Sequence, residues 1–565
     1  MKKQVHIENV GNVALTDKNY IGAGGEASVY QSGKLAVKIY HDSVKAIPKD
    51  KMLELGKIQA VNVLKPLHVV YDLKNKDVIG YAMQYIKNTE ALCKLFTKSF
   101  KQQHNLTPQI IMGLIQKMQE TVAQVHYDDC LIVDLNEMNL LTSNDFKIPY
   151  FIDTDSYQTP NYKATAIMDS IRDRTTSHGS FSNLTDWYAF AIIAFQLYIG
   201  IHPYKGKHPN YKPNQWQQRM DDGISVFDKA VSLPPVCNDF SVIPHRHRTW
   251  MEDLFLHNNR SEPPQISVSA PIAFVPKIVI INSSDTVNVD LVVDLDSKKY
   301  GIQSVYSFMG TKYYLTNDSI YKNNKLVVTR GFRSYDKILL CETNAMTPVI
   351  CKLIHKTLTF ESGRDEIGKL QTDGMMYKHG KIYTMSGGNL YRNSFREINN
   401  KTLHQIDFIS QVSEHSSRMF EGFVYQDLLG KPYFTIPLDD KCKNYYIKEL
   451  EGHRILDAKV ERNVCVVMAE RKGKYHRFVI IFDYDKDTYN VRKTEDVSYD
   501  TVNFTVIQKG VCILAIENKQ AELFIDNVKI KVIDNTPFDT STKLISFDNG
   551  VYFIHDDKLF AITMK

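Results

Sequence analysis

Cys130-Leu131-Ile132-Val133-Asp134-Leu135-Asn136-Glu137-Met138-Asn139-Leu140-Leu141 is followed, after residues 142–149, by Tyr150-Phe151-Ile152-Asp153-Thr154-Asp155-Ser156. An Asp and an Asn five positions apart, set between apolar segments, can put one carboxylate at a substrate hydroxyl and one amide oxygen on Mg²⁺. Asp153, at the end of a β-rich run, can hold that metal against nucleotide phosphates. The pattern points to phosphoryl transfer, with Asp134 orienting the hydroxyl and Asn139 and Asp153 as metal ligands. Asp155 is the alternative principal ligand. Taken alone, these residues also suit an ordinary loop and strand end, because a motif this short recurs by chance.

The segments upstream narrow the choice. Ile21-Gly22-Ala23-Gly24-Gly25-Glu26-Ala27-Ser28-Val29-Tyr30 has glycines where two strands must turn and let backbone N–H groups approach phosphate oxygens. Leu35-Ala36-Val37-Lys38-Ile39-Tyr40 then reads as an apolar strand carrying one lysine, and Gln31-Ser32-Gly33-Lys34 as the hairpin turn between the two. Gly80-Tyr81-Ala82-Met83-Gln84-Tyr85-Ile86 reads as a further strand. Apolar residues at Ile110, Ile111, Leu114, Ile115, Met118, Val122 and Val125 predict a helix from Gln109 to Tyr127 that delivers the chain to Asp134.

In this order, glycine loop, strand lysine, catalytic loop and metal Asp, the chain resembles the protein-kinase superfamily over about residues 15 to 265. The run Thr185-Asp186-Trp187 through Gly200-Ile201-His202-Pro203-Tyr204-Lys205-Gly206 is similar to that family's long central helix and its exit, in a form most like a compact bacterial and viral branch. The resemblance implies a bilobal α+β domain at residues 1–268, with an N-lobe at about 15–86 and a C-lobe at about 87–265. It implies ATP with Mg²⁺ or Mn²⁺ as cofactors. Gly22, Gly24, Gly25, Val29, Ala36, Met83, Gln84 and Ile86 would form the nucleotide pocket, with Lys38 on the phosphates and Glu54, the only glutamate of the helix expected after Pro48, pairing with Lys38. Asp186 would be a buried carboxylate accepting hydrogen bonds from catalytic-loop N–H groups.

Several positions depart from the family pattern. Ala27 replaces the third loop glycine, and Ile132-Val133 replaces the His-Arg before Asp134, leaving no arginine there for an activating phosphate. Asn136 stands where a lysine is usual; as a catalytic residue it could hydrogen-bond a γ-phosphate oxygen without bringing charge, so a slower enzyme is expected. Thr154-Asp155 replaces Phe-Gly. No glutamate lies between Glu137 and Glu252, so Arg260, which in the family pairs with a glutamate, is left to Asp169 or Asp173.

Beyond about Pro263 to Pro276 the pattern changes to short alternating segments with Asn, Asp, Gly and Lys punctuation. Examples are Ile278-Val279-Ile280-Ile281, Leu291 to Leu295, Lys337 to Cys341, Val464 to Met468 and Phe478 to Phe482. Stretches starting at Gly310, Gly380 and Gly550 echo one another, each reading as two strands around a polar turn. Residues 269–565 are thus expected to be all-β, a β-propeller of six or seven blades, with a pair of two-sheet sandwiches as the rival architecture.

Composition fits without deciding. The chain of 565 residues is 43% hydrophobic and 24% charged, with a net charge of +5 that gives no case for a nucleic-acid partner; His245-Arg246-His247-Arg248 is at most a local anion contact. Eight cysteines without a Cys-x-x-Cys pair suggest reduced thiols, and the first residues lack an apolar signal region. A cytoplasmic protein without a membrane span is expected, in the host cytoplasm if the source is viral. Two functions follow: a Ser/Thr protein kinase whose β domain docks a protein substrate or partner, or a pseudokinase scaffold whose β-propeller is the working surface.

Overall fold

The computed structural model describes residues 3–265, 287–293 and 301–564, apart from 75, 165, 309–310, 317, 324, 330–336, 345–346, 379, 400, 440, 508–509, 518, 528, 548–549 and 556–557. The chain forms two compact units, Met1–Ile278 with Arg471–Tyr475, and Val279–Glu470 with His476–Lys565. The boundary expected at 268/269 and the strand expected at Ile278-Val279-Ile280-Ile281 lie outside the described residues.

In the first unit, β1 (Lys3–Ile7), β2 (Gly11–Leu15), β3 (Tyr20–Ala23), β4 (Ala27–Ser32), β5 (Leu35–Tyr40), β6 (His68–Asp72) and β7 (Val78–Gln84) form one sheet in the order β2-β1-β6-β7-β5-β4-β3. Period-two alternation sorts β5 between the two faces. Val37 and Ile39 join Val5, Ile7 and Val70 in one core, while Ala36 and Tyr40 join Tyr81 and Met83 in the other. Lys38 therefore faces the second core. Gly80 pairs with Ile39, and a Cβ on it would collide with the carbonyl of Lys38, so glycine is what lets β7 lie against the lysine strand.

Helix α1 (Lys49–Gly56) follows β5 and buries Lys51, Met52 and Leu55. After β7 come α2 (Lys98–Gln103), α3 (Pro108–Tyr127), α4 (Asn183–Ile199), α5 (Trp216–Asp221) and α6 (His245–Leu256), with a small sheet of β8 (Thr89–Ala91), β9 (Leu140–Ser143) and β10 (Pro149–Phe151) in the order β10-β9-β8. Every residue of α4 from Thr185 to Ile199 is buried, as expected of a helix apolar on all sides. A capping box between Ser182 and Thr185 starts it. Gly200 ends it at φ 95°, where a Cβ would meet the Phe96 carbonyl at 2.8 Å.

The second unit is all-β. Among its described residues are seven four-stranded antiparallel sheets: six are built from consecutive strands, at 302–329, 337–371, 374–411, 417–446, 454–494 and 504–533. The seventh combines three strands at 544–564 with Val287–Val293, which pairs with Lys558–Met564. Apolar cores join consecutive sheets, and Ile302 and Tyr314 of the first pack with Leu559 of the seventh. This is not the two-sheet sandwich pair considered as a rival. The three echoed stretches supply the two inner strands of the first, third and seventh sheets, which explains why a hairpin signal was detectable there. Among the described residues no helix is long and apolar enough to cross a membrane.

Candidate active site

Helix α3 ends at Tyr127, and the chain then enters a loop whose backbone is held by Asp186 of α4. The Asp186 carboxylate, fully buried, accepts from the N–H of Ile132 at 2.7 Å, the N–H of Val133 at 2.9 Å and Nε2 of His126 at 2.9 Å. These bonds fix an unfavourable conformation. Val133 sits at φ 63°, an outlier for a β-branched residue, and such strain persists only where the surroundings over-determine it. The next residue is Asp134.

Asp134 Oδ1 accepts the Met168 N–H at 2.9 Å, and Asn139 Nδ2 donates to the Asp134 carbonyl at 3.0 Å and to its Oδ2 at 3.3 Å. Burial raises the Asp134 pKa, and these donors offset the shift only in part. The Ile152 N–H donates to the Asn139 carbonyl at 2.9 Å, continuing the β9–β10 pairing, so Asn139 lies one residue from Asp153. Among the described residues the amide oxygen of Asn139 has no donor partner. Asn136 is 1% exposed, and its Oδ1 accepts the N–H groups of Met138 at 2.8 Å and Asn139 at 3.1 Å. It shapes the loop from within, with its amide oxygen taken up by the loop's own N–H groups. This corrects its expected catalytic role.

Lys38 is bonded to two carboxylates. Its Nζ donates to Asp153 Oδ1 and to both oxygens of Asp155, at 2.7 and 2.8 Å. Asp155 also accepts the Tyr40 hydroxyl at 2.6 Å and the Tyr81 hydroxyl at 3.1 Å, while the Lys51 ammonium donates to its carbonyl at 2.7 Å. The side chain of Asp155 is 10% exposed and that of Asp153 44% exposed. Burial disfavours charge on all three groups, yet Lys38 is held above the usual lysine range by the two carboxylates and Asp155 below the usual carboxylate range by Lys38. Asp153, raised by burial and then by the Asp155 charge, titrates above its ordinary range. Its left-handed backbone, φ 62° and ψ 44°, turns the chain at this point.

Glu54 is not the partner of Lys38. It accepts Asn161 Nδ2 at 2.6 Å, and α1 turns Lys51, Met52 and Leu55 inward instead. Asp155 takes the position expected for that glutamate. Tyr40, Tyr81 and Lys51 went unread in the sequence, although two signals pointed to the tyrosines: Tyr40 shares the Lys38 face by alternation, and Tyr81 is the β7 residue opposite Lys38.

Val29, Ala36, Met83 and Ile86 gather with Ile21 and Ile152 in one partly open apolar cluster beside these charges, while Gln84 is exposed opposite Leu35. Gly22, Gly24 and Gly25 have no positive φ, and a Cβ on any of them would meet nothing within 4 Å. Nothing in the fold requires glycine there. The open space above them has room for a ligand that must approach the backbone closely, and the Asp153 carboxylate and the Asn139 amide oxygen are hard-oxygen donors of the type that Mg²⁺ takes.

Two buried groups complete the frame. Arg260 forms a bidentate pair with Asp173, at 2.6 and 2.7 Å, which settles the choice between Asp169 and Asp173. Arg260 also donates to the Leu254 carbonyl at 2.7 Å and lies 4.4 Å over the Tyr188 ring. No protein-family model and no curated protein matches the chain.

Proposed function

We propose that the first unit is a protein-kinase-like phosphotransferase that moves the γ-phosphate of ATP to a Ser or Thr hydroxyl of a protein, and that the second is a seven-bladed β-propeller for docking that protein or another partner. The observation that carries this reading is the convergence of Lys38, Asp134, Asn139 and Asp153 from separate segments, beside an apolar cluster and a glycine turn that the fold itself does not require. The cycle of sheets, with the first strand at 287–293 completing the last sheet, supports the propeller.

In this reading Asp155, locked by two tyrosines, anchors Lys38, and Lys38 grips nucleotide phosphates. Asn139 and Asp153 hold Mg²⁺, which would neutralise charge on the phosphates. Asp134 takes the proton of the attacking hydroxyl as its oxygen bonds to phosphorus and the bond to the ADP oxygen breaks. The hydroxyl shares the Asp134 carboxylate with the Met168 N–H, which already occupies Oδ1. That contact, and the burial of Asn136 where a cation is usual, favour the second reading, a scaffold without catalysis.

A thermal-shift measurement tests the nucleotide site. ATP with Mg²⁺ at a hundred times its Kd is expected to stabilise the chain by about 2.7 kcal/mol, and Lys38→Ala or Asp153→Asn to shrink the shift. Because Asp153 must be ionised to hold metal, the shift should weaken on acidification at a higher pH than an ordinary carboxylate would dictate. A wild-type chain unmoved by millimolar nucleotide contradicts the site.

A further inference from the structure

The first unit includes five residues from far downstream in the chain, Arg471–Tyr475. They form the tip of a hairpin. Val464–Arg471 and Lys474–Asp483 are neighbouring strands of the fifth sheet, and the two residues between them, Lys472 at φ 53° and Gly473 at φ 75°, make the tight left-handed turn that matches the twist of such a pair. A two-residue turn has no slack, and nearly every residue of both strands is buried, so the tip follows its strands.

The tip touches the segments around Asp134 at two points. The Tyr475 hydroxyl donates to Glu137 Oε1 at 2.6 Å, and both side chains are buried. Glu137 stands in the loop between Asn136 and Asn139, and among the described residues its other oxygen has no partner. A buried carboxylate that loses its donor cannot turn to water instead, so this bond ties the tip to the loop. Lys205 adds to the anchor, its ammonium 5.7 Å from the Tyr475 ring centre and 5.3 Å from that of Trp216. At the second point Gly473 lies against Met168, where a Cβ would come within 2.9 Å of Sδ and 3.0 Å of Cγ. The N–H of that same Met168 donates to Asp134 Oδ1. One hairpin tip is thus fastened to the Asp134 loop by its tyrosine and rests with its glycine on the residue that covers Asp134.

We infer that Arg471–Tyr475 is an autoinhibitory clamp. Seated on Glu137 and Met168, it keeps the Met168 N–H on Asp134, where that residue competes with a substrate hydroxyl for the carboxylate. Withdrawing the tip releases Met168 and opens Asp134. The consequence for phosphotransfer rests on the function proposed above; the mechanical link between the tip and Met168 does not.

Hydrogen–deuterium exchange of the full chain, read at the Met168 amide, tests the link without calling on activity, and transfer of labelled γ-phosphate from ATP tests its consequence. Tyr475→Phe removes the anchoring hydroxyl and keeps the ring. Tyr475→Phe/Glu137→Gln does the same and replaces the carboxylate left without a donor by a neutral amide, so it decides the matter if the single variant melts lower. Exchange at the Met168 amide is expected to be at least tenfold faster in both, with the Ile132 and Val133 amides, held by Asp186, as protected as in the wild type. Phosphotransfer should rise severalfold. Unchanged exchange at Met168 in the double variant, faster exchange that spreads to Ile132 and Val133, or wild-type phosphotransfer that fails to rise in the variants overturns the inference. Faster exchange confined to Met168, with no phosphotransfer by any of the three chains, upholds the link and refutes the phosphotransferase reading instead.

Discussion

Asp134→Asn is expected to lower phosphotransfer by about 10²–10⁴-fold, the usual contribution of a positioned general base, while leaving the affinity for ATP with Mg²⁺ nearly unchanged. The carboxylate contributes where the hydroxyl proton leaves, which is a property of the transition state and not of the ground-state complex. Its geometry supports that division. Among the described residues Asp134 touches the proposed metal ligands through the Asn139 amide, and an asparagine side chain can keep an acceptor for the Met168 N–H. Asp153→Asn should behave differently, weakening nucleotide binding as well, because its exposed oxygens are proposed to hold metal already in the ground state. The two signatures are separated by kcat and KM measured on the same pair of variants; an Asp134→Asn chain that transfers phosphate at the wild-type rate removes Asp134 from the mechanism.

Arg260→Ala is expected to cost about 3–5 kcal/mol of stability, the usual effect of removing one partner of a buried ion pair. Asp173 is 1% exposed at its side chain and would be left charged and unpaired, and the Leu254 carbonyl and the Tyr188 face would lose their contacts as well. The sign of the pH dependence follows. Burial alone would raise the Asp173 pKa, but Arg260 lowers it below the unfolded value, so the pair's contribution is complete above the ordinary carboxylate range and is lost as pH falls through the depressed folded value. In the variant burial is opposed only by the Thr175 N–H and hydroxyl, which donate to Asp173 at 2.9 and 2.8 Å, and Asp173 should take up a proton at higher pH than in the wild type. Urea unfolding at neutral and acid pH checks both points: the deficit of Arg260→Ala should be large at pH 7 and shrink toward pH 4, and an equal, small deficit at both would refute the account of the pair.

Much of the local structure of the first unit was legible because it obeys simple periodicities. Alternation marked β5 and placed Lys38 on it, the 3.6-residue stripe marked α3, and the uninterrupted apolar run of α4 announced a core helix whose first turn carries Asp186. What escaped depends on pairing between distant segments. Glu54 was chosen as the only glutamate of its helix, but composition does not say which flank of α1 faces the sheet, and Lys51 holds that position. Asn136 was read as a group facing a ligand; its buried amide is used by the N–H groups of its own loop, a bond pattern that spacing alone does not distinguish. The hairpin of β1 and β2 was also missed. It lies before the region of the resemblance, and its short strands have a weak pattern.

In the second unit, alternation announced strands, but the number of sheets was not readable. Only three of the seven central hairpins keep the echoed form, and the first strand at 287–293 is separated by most of the chain's second half from the sheet it completes.

The most direct test of the central claim is transfer of labelled γ-phosphate from ATP by the purified chain with Mg²⁺, in the presence of a cell lysate and beside an Asp134→Asn control. The account predicts label on the chain itself or on a lysate protein, acid-stable as expected for phosphoserine or phosphothreonine, and nearly absent in the control. Binding of ATP without transfer to any protein would contradict it and leave the first unit as a nucleotide-binding scaffold.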